Sequence, residues 1–237
     1  LTSENQNVIN SILMNLKYFI KTLELTVIFN TNLMNIICDK FLQNNLYTPL
    51  CLSVFGEVAN AGQFFEGADF VVPVFVSIVN GLIPVFNSNN LSDACKYYNI
   101  TSNEFIHIFT TSMTYYISAF YKYLEQSENE YVLALQWLFT ITKEGETEDF
   151  RQCIELWFTL ARHIYSEHVS NQINYEPFYV PLLSSLRRLA ISKMEAPNEI
   201  MISIDENGIA QPKKKKVTTV ASVAYTTMRE MLVYLTH

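Results

Sequence analysis

Four histidines and four cysteines are the side chains of this 237-residue chain best suited to metal or nucleophilic chemistry. Their spacing supports neither. His163 and His168 lie five positions apart, which does not place both on one helix face as a zinc pair of the H-E-x-x-H kind requires, and His107 and His237 stand far from them. Cys38, Cys51, Cys95 and Cys153 form no C-x-x-C pair and no defensible dyad with a histidine, so they read as buried, reduced thiols of an intracellular protein. No G-x-S-x-G elbow is present, and the six glycines never group as G-x-G or in a phosphate loop. The sequence therefore predicts no catalytic residue, no cofactor and no metal site.

Charge is the remaining chemistry. The acidic run Glu125, Glu128, Glu130, Glu144, Glu146, Glu148 and Asp149 is opposed only by Lys143. Carboxylates that share acid and base work need one pocket, whereas these fall at helix ends and turns. They read as a solvated rim, with Glu146, Glu148 and Asp149 at the positive end of the helix that follows; a patch for a basic partner is the sharper alternative. Basic charge is concentrated instead in Lys213, Lys214, Lys215 and Lys216. The whole chain carries a formal charge of −7, but residues 1–210 hold 11 basic against 22 acidic side chains, or −11. Such a body repels phosphate backbones, which argues against direct nucleic-acid binding and for a basic protein partner. The stretch Pro212–Val217, PKKKKV, has the form of a monopartite nuclear import signal, and equally of a loop tip that meets acidic surface.

The elements that must position these residues are helices. With 49% hydrophobic residues, only 16% charged ones and few glycines and prolines, the chain has apolar material for a continuous core and little of the punctuation of sheet folds. Val8, Ile9, Ile12, Leu13, Leu16, Phe19, Ile20 and Leu23 recur every three or four residues and predict one apolar helix stripe. Leu33, Ile36, Ile37 and Phe41 form the next. Leu50, Val54, Phe55 and Val58 pair with the apolar stretch Phe70–Phe86. Phe105, Ile108, Phe109, Met113, Tyr116, Ile117, Phe120 and Leu124 pair with Leu135, Leu138 and Phe139. Phe150, Ile154, Trp157, Leu160, Ala161 and Ile164 pair with Tyr179, Leu182, Leu183, Leu186 and Leu189. First helices of pairs begin near Asn7, Leu46, Asn103 and Thr147, about 40 to 55 residues apart, as in HEAT-type α-solenoids; a compact bundle has the same helix count.

Phe70–Phe86 is the one stretch apolar enough to suggest a membrane span. It contains Pro73, Asn80, Gly81 and Pro84 and falls short of the roughly 20 apolar residues a span needs, so a core helix is expected and no membrane insertion. The chain opens on polar residues without a positive n-region, begins with Leu and ends within a helical pattern, so it reads as an internal slice of a longer array. After Met194 the helical period stops. Ile200, Ile202 and Ile204 alternate with Met201 and Ser203 ahead of DENG, which predicts a β-hairpin within a long loop, and helical periodicity resumes at Met228, Met231, Leu232 and Leu235. A loop of nearly thirty residues in a packed array is rarely inert.

The C-terminal third resembles the exportin family, the importin-β superfamily receptors for leucine-rich nuclear export signals. ETEDFRQCIELWFTLARHIY (Glu146–Tyr165) keeps Glu146, Thr147, Glu148, Phe150, Cys153, Glu155, Trp157, Leu160, Ala161 and Tyr165 of the family pattern E-T-E-I-F-K-x-C-L-E-Y-W-x-x-L-A-x-x-L-Y. YVPLL at Tyr179, LRRLAISKMEAPNEI at Leu186 and MREMLVYLTH at Met228 follow it. Residues 1–145 resemble the family more weakly, through KFL at Lys40 and LCLSVFGEVANA around Cys51. Glu199, Ile200, Met201, Ile202, Asp205, Glu206, Asn207 and Gly208 match the start of the family's long intra-repeat loop, often called the acidic loop. Beyond Gly208 the chain departs, with Lys213–Lys216 where the family mixes acidic, basic and apolar residues.

The resemblance implies an all-α HEAT solenoid of four to five repeats over residues 1–237, with the loop at 199–227 inserted near its C-terminal end. It implies a receptor without enzymatic activity that shuttles between nucleus and cytoplasm. That receptor binds Ran in its GTP form and carries leucine-rich export-signal cargo through repeats outside this chain, with nucleoporins as further candidate partners. The loop would clasp Ran, or without Ran lie behind the cargo groove and keep it closed. Arg187, Arg188 and Lys193, on the helix before the loop, are the candidate concave-face contacts. The alternative is a generic HEAT scaffold for another assembly.

Overall fold

The computed structural model describes residues 3–42, 44, 46–61, 68–87, 100–144, 148–171, 177–194, 200–204, 210–214 and 220–236. Packing divides the chain into two units, residues 1–144 and 145–237. The first holds α1 (Ser3–Ile20), α2 (Leu25–Asn30), α3 (Leu33–Ile36) running on into a widened π turn (Ile37–Leu42), α4 (Thr48–Ala61), α5 (Ala68–Phe86), α6 (Ser102–Leu124) and α7 (Glu128–Glu144), the last two joined by a 3-10 turn (Glu125–Ser127). The second holds α8 (Glu148–Asn171), α9 (Tyr179–Lys193), β1 (Ile200–Ile204), β2 (Ala210–Lys214) and α10 (Val220–Thr236). Apart from the short strands, the described elements are helical, so the all-α reading holds. The helices α1, α4, α6 and α8 start within four residues of the starts inferred from the apolar period.

In the first unit α1, α4 and α6 pack side by side in one row, and the π turn, α5 and α7 form a second, with α4 against the π turn and α5 and α7 against α6. This two-row stacking is the HEAT arrangement, in which each pair buries its apolar faces only against its neighbours. The tightest seam is α4 on α6. A Cβ built on Gly56 would lie 3.0 Å from Ser112 Oγ and 3.1 Å from Ser112 Cα, so the two backbones approach where neither chain carries bulk. Glycine normally weakens a helix interior by about 1 kcal/mol relative to alanine, and here close approach offsets that cost. At the C-terminal half of α4, Glu57 takes Lys17 of α1 at 4.0 Å and Lys21, just past the end of α1, at 3.4 Å.

The rows are tied by aromatic side chains. Tyr116 of α6, fully buried, donates its hydroxyl to the Val71 carbonyl of α5 at 2.9 Å, and its ring stacks on Phe75 with centroids 5.8 Å apart. Phe86 of α5 stacks on Trp137 of α7 at 4.4 Å and meets Phe109 of α6 at 4.7 Å. Phe105, Phe109, Phe120 and Leu124 are all buried, as the periodicity predicts. The start of α6 is fixed by Thr101, whose side chain accepts from the Glu104 N–H at 3.2 Å. Thr48 Oγ1 donates to the Leu42 carbonyl at 2.9 Å, tying the start of α4 to the end of the π turn.

Helix α5 is the one described helix long and apolar enough to cross a membrane. Its line Val71, Val74, Phe75, Ile78, Val79, Leu82 and Val85 is buried, while Asp69, Pro73, Asn80 and Pro84 are exposed. Placing the prolines on the outer side spares the packed face the kink that a missing N–H produces.

Helix α1 departs from expectation. Of its expected stripe only Leu13 and Ile20 are buried; Val8, Ile12 and Phe19 are 57%, 58% and 61% exposed, and Leu23 beyond the helix end is exposed too. Among the described elements α4 is the one that packs along α1, and one such neighbour covers a narrow line of a helix, whereas a stripe as wide as this one needs two. Helix α6, which packs against α4, α5 and α7, buries its whole expected stripe except Ile108, which is half-buried.

In the second unit α10 packs along α8 and more lightly on α9. Phe150, Cys153, Ile154, Trp157, Leu160, Ala161 and Ile164 line the buried side of α8, and Ala224, Met228 and Met231 that of α10. Trp157 is completely buried. Trp157→Ala is expected to lower unfolding stability by roughly 3 to 5 kcal/mol, read from urea midpoints. Gly56→Val forces the α4 backbone off Ser112 and is expected to cost about 1 to 3 kcal/mol by the same measurement; an unchanged midpoint would show that the seam is loose.

Candidate functional site

Helix α9 and the segment after it hold the residues singled out by sequence. Pro181 sits in the first turn of α9, where a missing N–H costs no intrahelical bond, and Tyr179, Leu186 and Ala190 form its buried line. Arg187 and Arg188 are exposed on the opposite side. The Arg188 guanidinium folds back along its own helix, donating to the Ser184 carbonyl at 3.4 Å and to Ser184 Oγ at 3.3 Å. Lys193, in the last turn, where a cation complements the helix dipole, lies with Nζ 5.5 Å from the centroid of the Phe150 ring of α8. The three cations are thus not one cluster. Lys193 braces the start of α8, and the two arginines face solvent. The Lys193–Phe150 contact has no signature in the sequence, because the partners are 43 positions apart and neither stands in a motif.

Helix α9 ends at Met194, whose backbone leaves the helical region at φ −83° and ψ 68°; the apolar alternation that begins six residues later becomes a hairpin. Strands β1 and β2 are antiparallel, with Ile200 opposite Lys214, Met201 opposite Lys213, Ile202 opposite Pro212, Ser203 opposite Gln211 and Ile204 opposite Ala210. Of the loop residues named above, Ile200, Met201, Ile202, Lys213 and Lys214 fall in these strands. Glu199, Asp205, Glu206, Asn207, Gly208, Lys215 and Lys216 lie outside the described residues.

The acidic run divides. Glu148, in the first turn of α8, accepts from Arg151 Nε at 2.9 and 3.0 Å, and the same arginine also pairs with Glu155, so its charge is compensated within one helix face. Glu128 and Glu144, at the two ends of α7, are exposed, consistent with a solvated rim. Along the seam of α8 and α10, Tyr234 meets Phe158 at 5.9 Å and Tyr165 at 5.5 Å, and Arg162 lies 5.7 Å from the Phe158 ring centroid. Sequence reading missed this aromatic seam, although the i, i+7 spacing of Phe158 and Tyr165 marks one helix side.

The buried cysteines are poor nucleophiles. Burial, and then the Asp39 carboxylate, pushes the Cys38 thiol up to about 11; burial, and then neighbouring Cys38, pushes Cys51 up to about 12. Both thiols are protonated at neutral pH, and a thiol is far less reactive than its thiolate. Thiol reagents are expected to leave Cys38 and Cys51 unlabelled at pH 8 until denaturant unfolds the first unit; labelling in native buffer would contradict the burial. Because both folded-state values lie above the ordinary 9.0, their contribution to stability is complete below pH 9 and is lost as pH rises towards 11 to 12, so urea midpoints are expected to fall over that window.

Residues 176–237, which span α9, the hairpin and α10, match the family model described as CRM1 / Exportin repeat 2. The chain is 26% identical to Exportin-1 of Schizosaccharomyces pombe over 268 residues, covering 99% of this chain and 24% of that protein. It is 27% identical to Exportin-1 of Drosophila melanogaster over 248 residues, covering 99% of this chain and 23% of that protein, and 25% identical to Protein EXPORTIN 1B of Arabidopsis thaliana over 269 residues. The chain spans about a quarter of the length of these curated relatives. The exportin resemblance carried by the C-terminal motifs therefore extends over nearly the whole chain.

Proposed function

We propose that this chain forms central repeats of an exportin-1-type nuclear export receptor, without catalytic activity, and that the segment between α9 and α10 that contains the hairpin is its regulatory loop; Val220–Thr227, expected from sequence to belong to the loop at 199–227, form the first turns of α10 instead. The observation that carries the reading is the match of residues 176–237 to an exportin repeat, because that span contains α9, the hairpin and α10 as one block. In this reading the stacked helices are a scaffold, and the hairpin is the element that changes partner. It responds to Ran in its GTP form and thereby communicates with a cargo groove supplied by other repeats of the longer receptor. The receptor shuttles between nucleus and cytoplasm.

The physical support is the make-up of the hairpin. A two-stranded hairpin is marginal by itself in water, and this one is a five-residue ladder running from Ile200 opposite Lys214 to Ile204 opposite Ala210. A marginal element is one whose placement a ligand of modest differential affinity can bias. Arg187 and Arg188, exposed on α9 just before the hairpin, are available to a carboxylate-bearing partner surface. Lys193 is not offered as a contact, since its cation sits beside Phe150.

The test is capture of GTP-locked Ran by the full-length parent receptor, with and without a leucine-rich export peptide. Deleting Ile200–Val217 is expected to change Ran or peptide affinity by roughly fivefold or more, the lower end of ordinary allosteric coupling. Replacing Lys213–Lys216 by Ser is expected to act more weakly, and only at low salt, since exposed charges are screened over about 8 Å at physiological ionic strength. Affinities equal to wild type for the deletion, across a salt series, would mean that the hairpin has no part in Ran or cargo binding.

A further inference from the structure

One edge of the hairpin is complete and the other is not. Successive pairs of an antiparallel ladder alternate between residues that exchange two N–H···O bonds and residues whose N–H and C=O point away from each other. Pro212 has no N–H to exchange, yet its pairing with Ile202 stands at the middle of an unbroken ladder. The exchanging pairs are therefore Met201 with Lys213 and Ser203 with Gln211. The N–H and C=O groups of Ile200, Ile202 and Ile204 then point away from β2, along the outer edge of β1. That edge offers donors and acceptors at the spacing of a further ladder, whereas the outer edge of β2 lacks its central donor at Pro212. Proline and lysine are what sheets place on edges that must not pair; β2 carries both and β1 carries neither. Within the sheet β2 is the one neighbour of β1, and no other described element packs along it.

We propose that the outer edge of β1 takes up an added strand, supplied by an extended, β-branched segment of a partner protein that is flanked by lysine or arginine. In such pairing main-chain bonds supply the affinity, and alternate isoleucines favour β-branched residues on the incoming strand. Charge selects the flanks. In sequence β1 is bounded by Glu199 on one side and by Asp205 and Glu206 on the other, on a chain whose first 210 residues carry −11. An added strand lies about 5 Å from β1 and about 10 Å from β2, so the line of β2 and its lysines falls outside the screening length of about 8 Å, while β1 falls inside it. A second copy of β1, paired antiparallel about Ile202, would set Glu199 against Asp205 of the other copy, and like charges directly opposed are unfavourable.

The test uses the full chain and a fluorescein-labelled peptide of sequence KVTVTVTVK, followed by anisotropy over a salt series, with the charge-reversed peptide EVTVTVTVE beside it. The basic peptide is expected to bind on the order of tenfold more tightly at low salt, and the difference to shrink as salt is raised. Ile202→Pro removes the central outward donor and none of the bonds to β2, so it is expected to weaken binding by about tenfold. Pro212→Ala is expected to leave binding unchanged, because the missing donor faces the other edge. Amide exchange gives a second readout on the unaltered chain: Ile200, Ile202 and Ile204 are expected to gain protection when the basic peptide is added. Absence of binding, equal affinity for the two peptides at low salt, or binding indifferent to Ile202→Pro would each overturn the proposal. So would protection that appears on the exposed apolar side of α1 instead of on β1, or self-association of the chain that Ile202→Pro abolishes. The assay contains neither Ran nor export cargo, so its outcome is independent of the export-receptor reading.

Discussion

The first unit depends on how close α4 and α6 come at Gly56. Helices packed 8 to 10 Å apart interlock through side chains; one position without a side chain brings backbones nearer and fixes the register of both helices. From that seam the rest follows. With α6 fixed against α4, its other sides meet α5 and α7, and Tyr116 reaches the Val71 carbonyl while Phe109 meets Phe86. A hydroxyl buried without a partner would cost about 1 to 3 kcal/mol, so Tyr116 favours one placement of α5 over its neighbours by that much. The aromatic cluster of Phe86, Phe109 and Trp137 then fills the volume that remains.

Much of this was legible in the sequence because helix stacking repeats itself. An apolar residue every three or four positions gives the helix and its inner face, and the recurrence of first helices gives the stack. The buried lines of α6 and α8 correspond almost residue for residue to the stripes read from Phe105 to Leu124 and from Phe150 to Ile164. The stripe of α1 did not transfer, since periodicity says which residues are apolar and not how many neighbours a helix has. Nor did Gly56 announce itself: one glycine in a helical pattern reads as a weak helix former until the opposing Ser112 is known.

The hairpin illustrates another limit. Alternating isoleucines ahead of an Asp-Glu-Asn-Gly turn announce a strand and a reversal, and the ladder pairs Ile200–Ile204 with Ala210–Lys214. Family resemblance supplied the position of the loop, but resemblance is weakest where this chain is most distinctive, after Gly208. There the lysines are read through charge and backbone form alone. The basic residues of α9 show the converse: Arg187, Arg188 and Lys193 are neighbours in sequence, yet one of them spends its charge on an aromatic ring while the others stay in water.

The two tryptophans of the chain fall one to each unit, Trp137 stacked on Phe86 in the first and Trp157 enclosed in the second. One indole lies flat on the Phe86 ring and the other is completely buried along α8. Emission from each therefore reports a different half of the molecule. Keeping only one of them in turn makes the protein its own optical gauge of whether its halves melt as a single cooperative block or come apart in sequence, without any attached dye.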